Sequence, residues 1–106
     1  MPTFGELISE KRKEAGLSQK ELATKIIKED GQAISPQYLN DLEHDRRNPP
    51  GEHLIEQFAK ILKIAPERMY YSAGEFPPDA KCEDATEQQV VEAFKAFRKV
   101  IDRKEQ

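Results

Sequence analysis

With 106 residues, 37% hydrophobic and 35% charged, the chain has room for one small domain and an appendage, and the balance suits a helical protein with a large surface. One cysteine, Cys82, and two histidines, His44 and His53, exclude a disulfide framework and leave no metal-ligand cluster, so no metal or other cofactor is expected. A formal charge of −3, with neither the first 75 residues nor the remainder basic overall, excludes strong long-range attraction to nucleic acid. Any such binding must come from local placement of a few cations, with weak nonspecific hold as the consequence.

The opening residues lack the apolar stretch of a secretion signal, and no run approaches membrane-spanning length, so a soluble, cytoplasmic protein is expected. Thr3 with Glu6 forms the pattern of a capping box, and Phe4, Leu7, Ile8 and Ala15 follow at helical spacing until Gly16 stops the turn. Ser18 with Glu21 repeats the box for a second helix, in which Leu22, Ala23, Ile26 and Ile27 make the buried side; this helix is expected to extend through Ile27. Lys28 to Gln32 is polar, carries the turn glycine Gly31, and leads through Ala33 and Ile34 to the next start.

The stretch from Ser35 to Pro50 carries the chemistry. Serine caps a helix well and proline is tolerated at its first position, so a helix starts at Ser35-Pro36. Inside it only Leu39 and Leu42 are clearly apolar, while Pro36, Gln37, Tyr38, Asn40 and Asp41 crowd the outer face and the N-terminal half. Amide and hydroxyl side chains on an exposed turn suit base edges in a major groove, where glutamine or asparagine pairs bidentately with adenine. Arg46 and Arg47, just beyond, are placed to grip phosphate. An ordinary surface helix would show the same polar face, so the argument depends on what surrounds it.

Gly51 then precedes a fourth helix with Leu54, Ile55, Phe58, Ala59, Ile61 and Leu62 as core, and Pro66 opens a fifth that Gly74 ends. Met69, Tyr70 and Tyr71 read as core or interface, and His53 receives no role. Residues 76–84 form a proline-bearing linker. From about Ala85 to Lys104 a last amphipathic helix is expected, capped by Asp84 with Glu87 or by Thr86 with Gln89. Val90, Phe94, Phe97 and Ile101 form its stripe, widened by Val91, Ala93 and Val100. Burying one phenylalanine contributes roughly 1.5 to 3 kcal/mol, so the stripe must find an apolar surface: the same chain's bundle, a second copy, or another protein. A second copy is the favoured partner.

Taken together, Leu17-Ser18-Gln19-Lys20-Glu21-Leu22-Ala23, then Ile34-Ser35 with Leu39, Leu42 and Glu43, then Pro50 and Phe58-Ala59-Lys60-Ile61-Leu62 resemble the lambda and Cro repressor family of helix-turn-helix proteins, the Xre-like family, over about residues 3–74. The resemblance implies a five-helix bundle in residues 1–75, with the third helix offered to the major groove and the second lying across the backbone; with the C-terminal amphipathic helix read from its own stripe in residues 85–106, the expected fold is all-α. It also implies that Pro36, Gln37, Tyr38 and Asp41, with Asn40 beside them, face bases. Gln19, at the start of the second helix, faces phosphate. Arg12 and Glu43 match a pair that forms an internal salt bridge. Asp45 stands where the family usually has a glycine, and aspartate tolerates the left-handed turn better than most residues. Asp41 would either accept from a cytosine amino group or repel a nearby phosphate.

The expected function is that of a sequence-specific DNA-binding regulator, a dimeric repressor on a palindromic operator in double-stranded DNA. Gln37, Tyr38, Asn40 and Asp41 would read bases; Gln19, Lys20, Arg46 and Arg47 would hold phosphate; Val90, Phe94, Phe97 and Ile101 would form the dimer contact. The alternative is a protein-interaction module, such as an antitoxin or adaptor, that uses the C-terminal helix to bind another protein. An enzyme is not expected. There is no glycine-rich phosphate loop and no nucleophile with a histidine partner, and no small-molecule substrate is implied.

Overall fold

The structure is a computed structural model that describes residues 1–102, so the last residues expected in the C-terminal segment, 103–106, lie outside the described residues. Six α-helices follow in order: α1 (Phe4–Glu14), α2 (Gln19–Lys25), α3 (Pro36–Glu43), α4 (Glu52–Leu62), α5 (Pro66–Ala73) and α6 (Glu87–Ile101), with a 3-10 turn at Pro78–Ala80 before α6. The first five make a bundle in which α1 packs on α3, α4 and α5, α2 packs on α3, and α4 packs on α5. Phe58, Leu7, Ile8, Leu22, Ile26, Leu39, Leu42, Ile55 and Met69 fill its centre.

Local chemistry accounts for the boundaries. Thr3 and Ser18 each accept from the third backbone N–H of their helix while Glu6 and Glu21 return the bond, so both capping boxes form. Gly16 ends α1 in the left-handed region, at φ 73°. Gly5 is set by a different constraint: a Cβ there would lie 2.2 Å from the Leu42 carbonyl oxygen and 2.7 Å from that of Glu43. The start of α1 therefore touches the backbone at the end of α3, and only glycine permits that crossing.

The second helix is shorter than its isoleucines suggest. It ends at Lys25, and Ile26 is already extended, with φ −100° and ψ 110°. From that backbone Ile26 still buries its side chain completely. The chain then makes a small hairpin: Ile27 bridges Ala33, Lys28 N–H donates to the Gln32 carbonyl at 2.8 Å, and Ile34 N–H donates to the Ile26 carbonyl at 2.9 Å. Two α4 side chains satisfy the freed backbone of Ile27. Gln57 Oε1 accepts its N–H at 2.8 Å, and His53 Nε2 lies 2.8 Å from its carbonyl oxygen. Consecutive β-branched residues suit this extended backbone, because branching at Cβ restricts the side chain more in a helix.

Helix α6 begins at a Thr86–Gln89 capping box, the second of the two caps expected, and its start at Glu87 lies two residues after the expected one. Two ring contacts join it to the preceding chain. Phe97 lies 6.2 Å from Tyr71 of α5, and Phe94 lies 5.9 Å edge-on from Phe76 of the linker. None of its residues is buried: Val90, Phe94, Phe97 and Ile101 remain 40–52% exposed. The radius of gyration, 15.9 Å, exceeds the roughly 13 Å of a compact 100-residue domain because this helix stands out from the bundle. Among the described residues no helix is long and apolar enough to cross a membrane.

Candidate nucleic-acid interface

Helix α3 is held at its start by Ser35, whose hydroxyl accepts from Tyr38 N–H at 3.0 Å, with Pro36 in the first turn. Leu39, Leu42 and Glu43 are buried, Tyr38, Asn40 and Asp41 half-buried, and Pro36 and Gln37 exposed. The helix closes with Asp45 in the left-handed region, at φ 57°. Asp45 N–H donates to the Leu42 carbonyl at 3.1 Å and Arg46 N–H to the Asp41 carbonyl at 2.8 Å, the paired bonds of a Schellman turn. This reversal carries the Arg46 side chain back over the helix it has just left.

Asp45 also reaches the other end of α1. Its carboxylate accepts from Thr3 Oγ1 at 2.7 Å and from Gly5 N–H at 3.1 Å. A negative charge at a helix N-terminus is favourable, so this side chain repays part of its backbone strain.

Beneath the surface lies the expected pair. Arg12 Nε donates to Glu43 Oε2 at 2.6 Å and Nη2 to Oε1 at 3.0 Å, while Nη1 donates to the Leu17 carbonyl at 2.8 Å. Burial pushes the Glu43 carboxyl up, but the bonds from Arg12 and Gln19 and the guanidinium charge outweigh it and hold the group below the usual carboxylate range. From Glu43 a chain of side chains runs outward. Gln19 Nε2 donates to Glu43 Oε1 at 3.0 Å, Asn40 Nδ2 to Gln19 Oε1 at 3.2 Å, and Arg46 Nη2 to Asn40 Oδ1 at 2.5 Å. Arg46 Nε then donates to Asp41 Oδ1 at 3.1 Å, and that oxygen also accepts from Gln37 Nε2 at 3.1 Å.

The structure thus gathers Gln19, Gln37, Asn40, Asp41 and Arg46 into one connected patch above the Arg12–Glu43 pair. Arg47 lies beside it, its guanidinium carbon 5.3 Å from the centroid of the Tyr38 ring. Burial raises the Tyr38 hydroxyl pKa and the Arg47 charge lowers it, with a net upward shift that keeps the phenol neutral. Lys20 is exposed one position after Gln19 on α2. The α6 residues Val90, Phe94, Phe97 and Ile101 belong to a separate exposed stripe. Among the described residues no three His, Cys, Asp or Glu side chains gather as a metal site.

Two roles had no signal in the sequence. The Asp45 tether joins residues forty or more apart, and the hold of His53 and Gln57 on Ile27 depends on a turn that helical spacing conceals.

The profile of the helix-turn-helix family matches residues 8–67, more than half of the chain. Among solved structures, a chain of the SinR protein/SinI protein complex is similar, at 21% identity and TM-score 0.53, over 97% of this chain and 86% of that one. At that identity the likeness concerns the fold. No match is found among curated proteins.

Proposed function

The chain belongs to the helix-turn-helix family of DNA-binding transcription regulators, and from that membership we propose that it is a dimeric, sequence-specific repressor that occludes a promoter. The observation that carries the proposal is the seating of α3. Its polar half is presented outward while its last residue is tied into the bundle by the buried Arg12–Glu43 pair, so a rigid amide-bearing surface is available to a major groove. Pro36, Gln37, Tyr38, Asn40 and Asp41 form the base-facing set, in which Gln37 carries the exposed amide while the Asn40 and Asp41 side chains bond to Arg46. Gln19, Lys20, Arg46 and Arg47 border it as phosphate contacts.

The exposed stripe of α6, with Val90, Phe94, Phe97 and Ile101, pairs with the same stripe of a second copy, and the dimer offers two reading helices to half-sites about one helical turn apart in a palindromic operator. Coupling two heads raises the effective concentration of the second contact, which offsets the weak nonspecific hold of a chain with charge −3. The same stripe also supports the second reading, an antitoxin or adaptor that docks another protein. Selection of bound sequences from random duplexes, followed by shift assays across a salt series, separates them. A repressor selects a two-fold site and loses affinity as salt rises, whereas an adaptor selects none. Gln37→Ala should weaken the selected site by about 1 to 3 kcal/mol and leave random DNA nearly unchanged; equal loss on both would reject base reading by Gln37.

A further inference from the structure

Given the DNA-reading function proposed above, we infer that Asp41 and Arg46 are positioning residues that fix the Gln37 side-chain amide in the orientation that selects adenine. Asp41 is an acceptor only and takes one N–H of Gln37 Nε2 at 3.1 Å. The other N–H and the whole of Oε1 then face outward as a donor beside an acceptor. That edge complements N7 and the amino group of adenine, and it sets Oε1 against O6 of guanine. Rotating the amide by half a turn would point its oxygen at the carboxylate, so the wrong orientation is opposed by charge.

The carboxylate is itself held. Arg46 Nε donates to the same Asp41 oxygen at 3.1 Å, and Nη2 donates to Asn40 Oδ1 at 2.5 Å. Arg46 only donates and Glu43 only accepts, so the amides between them, Asn40 and Gln19, have one consistent orientation each, with Asn40 Nδ2 on Gln19 Oε1 and Gln19 Nε2 on Glu43 Oε1. Both ends of the Asn40 amide are thereby engaged within the protein. The guanidinium also offsets the Asp41 charge where the helix would meet a phosphate backbone.

The test uses the full chain and the site it selects, with each of the four bases placed at the pair whose preference Gln37→Ala abolishes. Asp41→Ala should lower the adenine-over-guanine ratio at that pair about tenfold and leave other pairs unaltered, because the freed amide can offer two donors to guanine. Arg46→Met, which leaves the carboxylate in place but unclamped, should lower the same ratio. Circular dichroism confirms that each variant is folded. A changed preference at a neighbouring pair would mean that Asp41 reads a base itself, and an unchanged ratio would mean that it does nothing to Gln37; either overturns the inference. So does a loss in Arg46→Met that is uniform across the four bases, with the adenine-over-guanine ratio unchanged, because Arg46 would then hold phosphate without holding Asp41. A measurement without DNA separates this inference from the functional reading. In the free protein the Gln37 side-chain amide proton that bonds Asp41 should shift upfield in Asp41→Ala, and a resonance that stays in place would refute the relay even if the wild-type chain selects no site.

Discussion

Removing the Glu43 carboxylate tests how far α3 depends on the ion pair beneath it. In Glu43→Ala three donors lose their acceptor: Arg12 Nε at 2.6 Å, Arg12 Nη2 at 3.0 Å and Gln19 Nε2 at 3.0 Å. Arg12 keeps only the Leu17 carbonyl, and its side chain is 11% exposed against 2% for Glu43, so water restores little. An uncompensated buried charge of this kind costs about 3 to 5 kcal/mol, a large share of the roughly 5 to 15 kcal/mol that holds a small domain together. Urea unfolding followed by circular dichroism should show the midpoint falling by about 2 to 3 M with an unchanged slope. A loss under about 1 kcal/mol, the worth of an exposed pair, would refute the reasoning. The pH dependence has a definite sign. The folded-state pKa of Glu43 is depressed below its ordinary value of 4.5, so the pair's contribution is complete above that value and is lost as pH falls through the lowered one. Wild type should therefore lose stability below about pH 4.5 more steeply than Glu43→Gln does.

Gly5→Ala would raise stability by about 1 kcal/mol in an unobstructed helix, but here the added Cβ lies 2.2 Å from the Leu42 carbonyl, so a loss of about 1 to 3 kcal/mol is expected in the same urea assay; a gain would show that α1 does not cross α3 this closely. Asp45→Gly loses the bonds to Thr3 and Gly5 but relieves the left-handed backbone, whereas Asp45→Ala loses the bonds and keeps the strain. The alanine variant should therefore be less stable than the glycine variant by about 1 kcal/mol, and equal midpoints would remove backbone strain from the account. Phe94→Asp and Phe97→Asp should leave helix content intact and convert the proposed dimer to a monomer in sedimentation equilibrium, while an unchanged mass would place the contact elsewhere.

The elements readable in the sequence are those specified by neighbours in the chain. Thr3 with Glu6, Ser18 with Glu21, Ser35 with Pro36, and Thr86 with Gln89 act over one helical turn, and each marks a helix start in the structure. The end of α2 was hidden because Ile26 buries its side chain equally well from extended backbone as it would from a helix, so hydrophobic spacing carries no information about the change. The resemblance to the repressor family located the Arg12–Glu43 pair but not the bonds of Gln19 to Glu43 and Asn40. It did not reveal that Arg46 donates to both Asn40 and Asp41, because those bonds need the chain reversal at Asp45, which only the folded end of α3 creates.

Helix α3 has eight residues, too few to be stable alone in water, so the bundle must supply its stability and also its rotation about its own axis. The two jobs need different contacts. Burial of Leu39 and Leu42 stabilises without direction, since apolar area has no preferred angle. The two-point bond of Arg12 to Glu43 is directional, and it acts on the last residue of the helix, where an acidic side chain is otherwise unfavourable to the helix dipole. Such a pair is a poor choice for stability alone, because apolar residues of similar volume commonly equal or exceed it, and its retention is accounted for if it sets which face of α3 turns outward. The double variant Arg12→Met with Glu43→Leu should thus recover most of the stability lost in Glu43→Ala while selecting bases less sharply than wild type. Undiminished selectivity in that variant would show that the leucines alone orient the reading face.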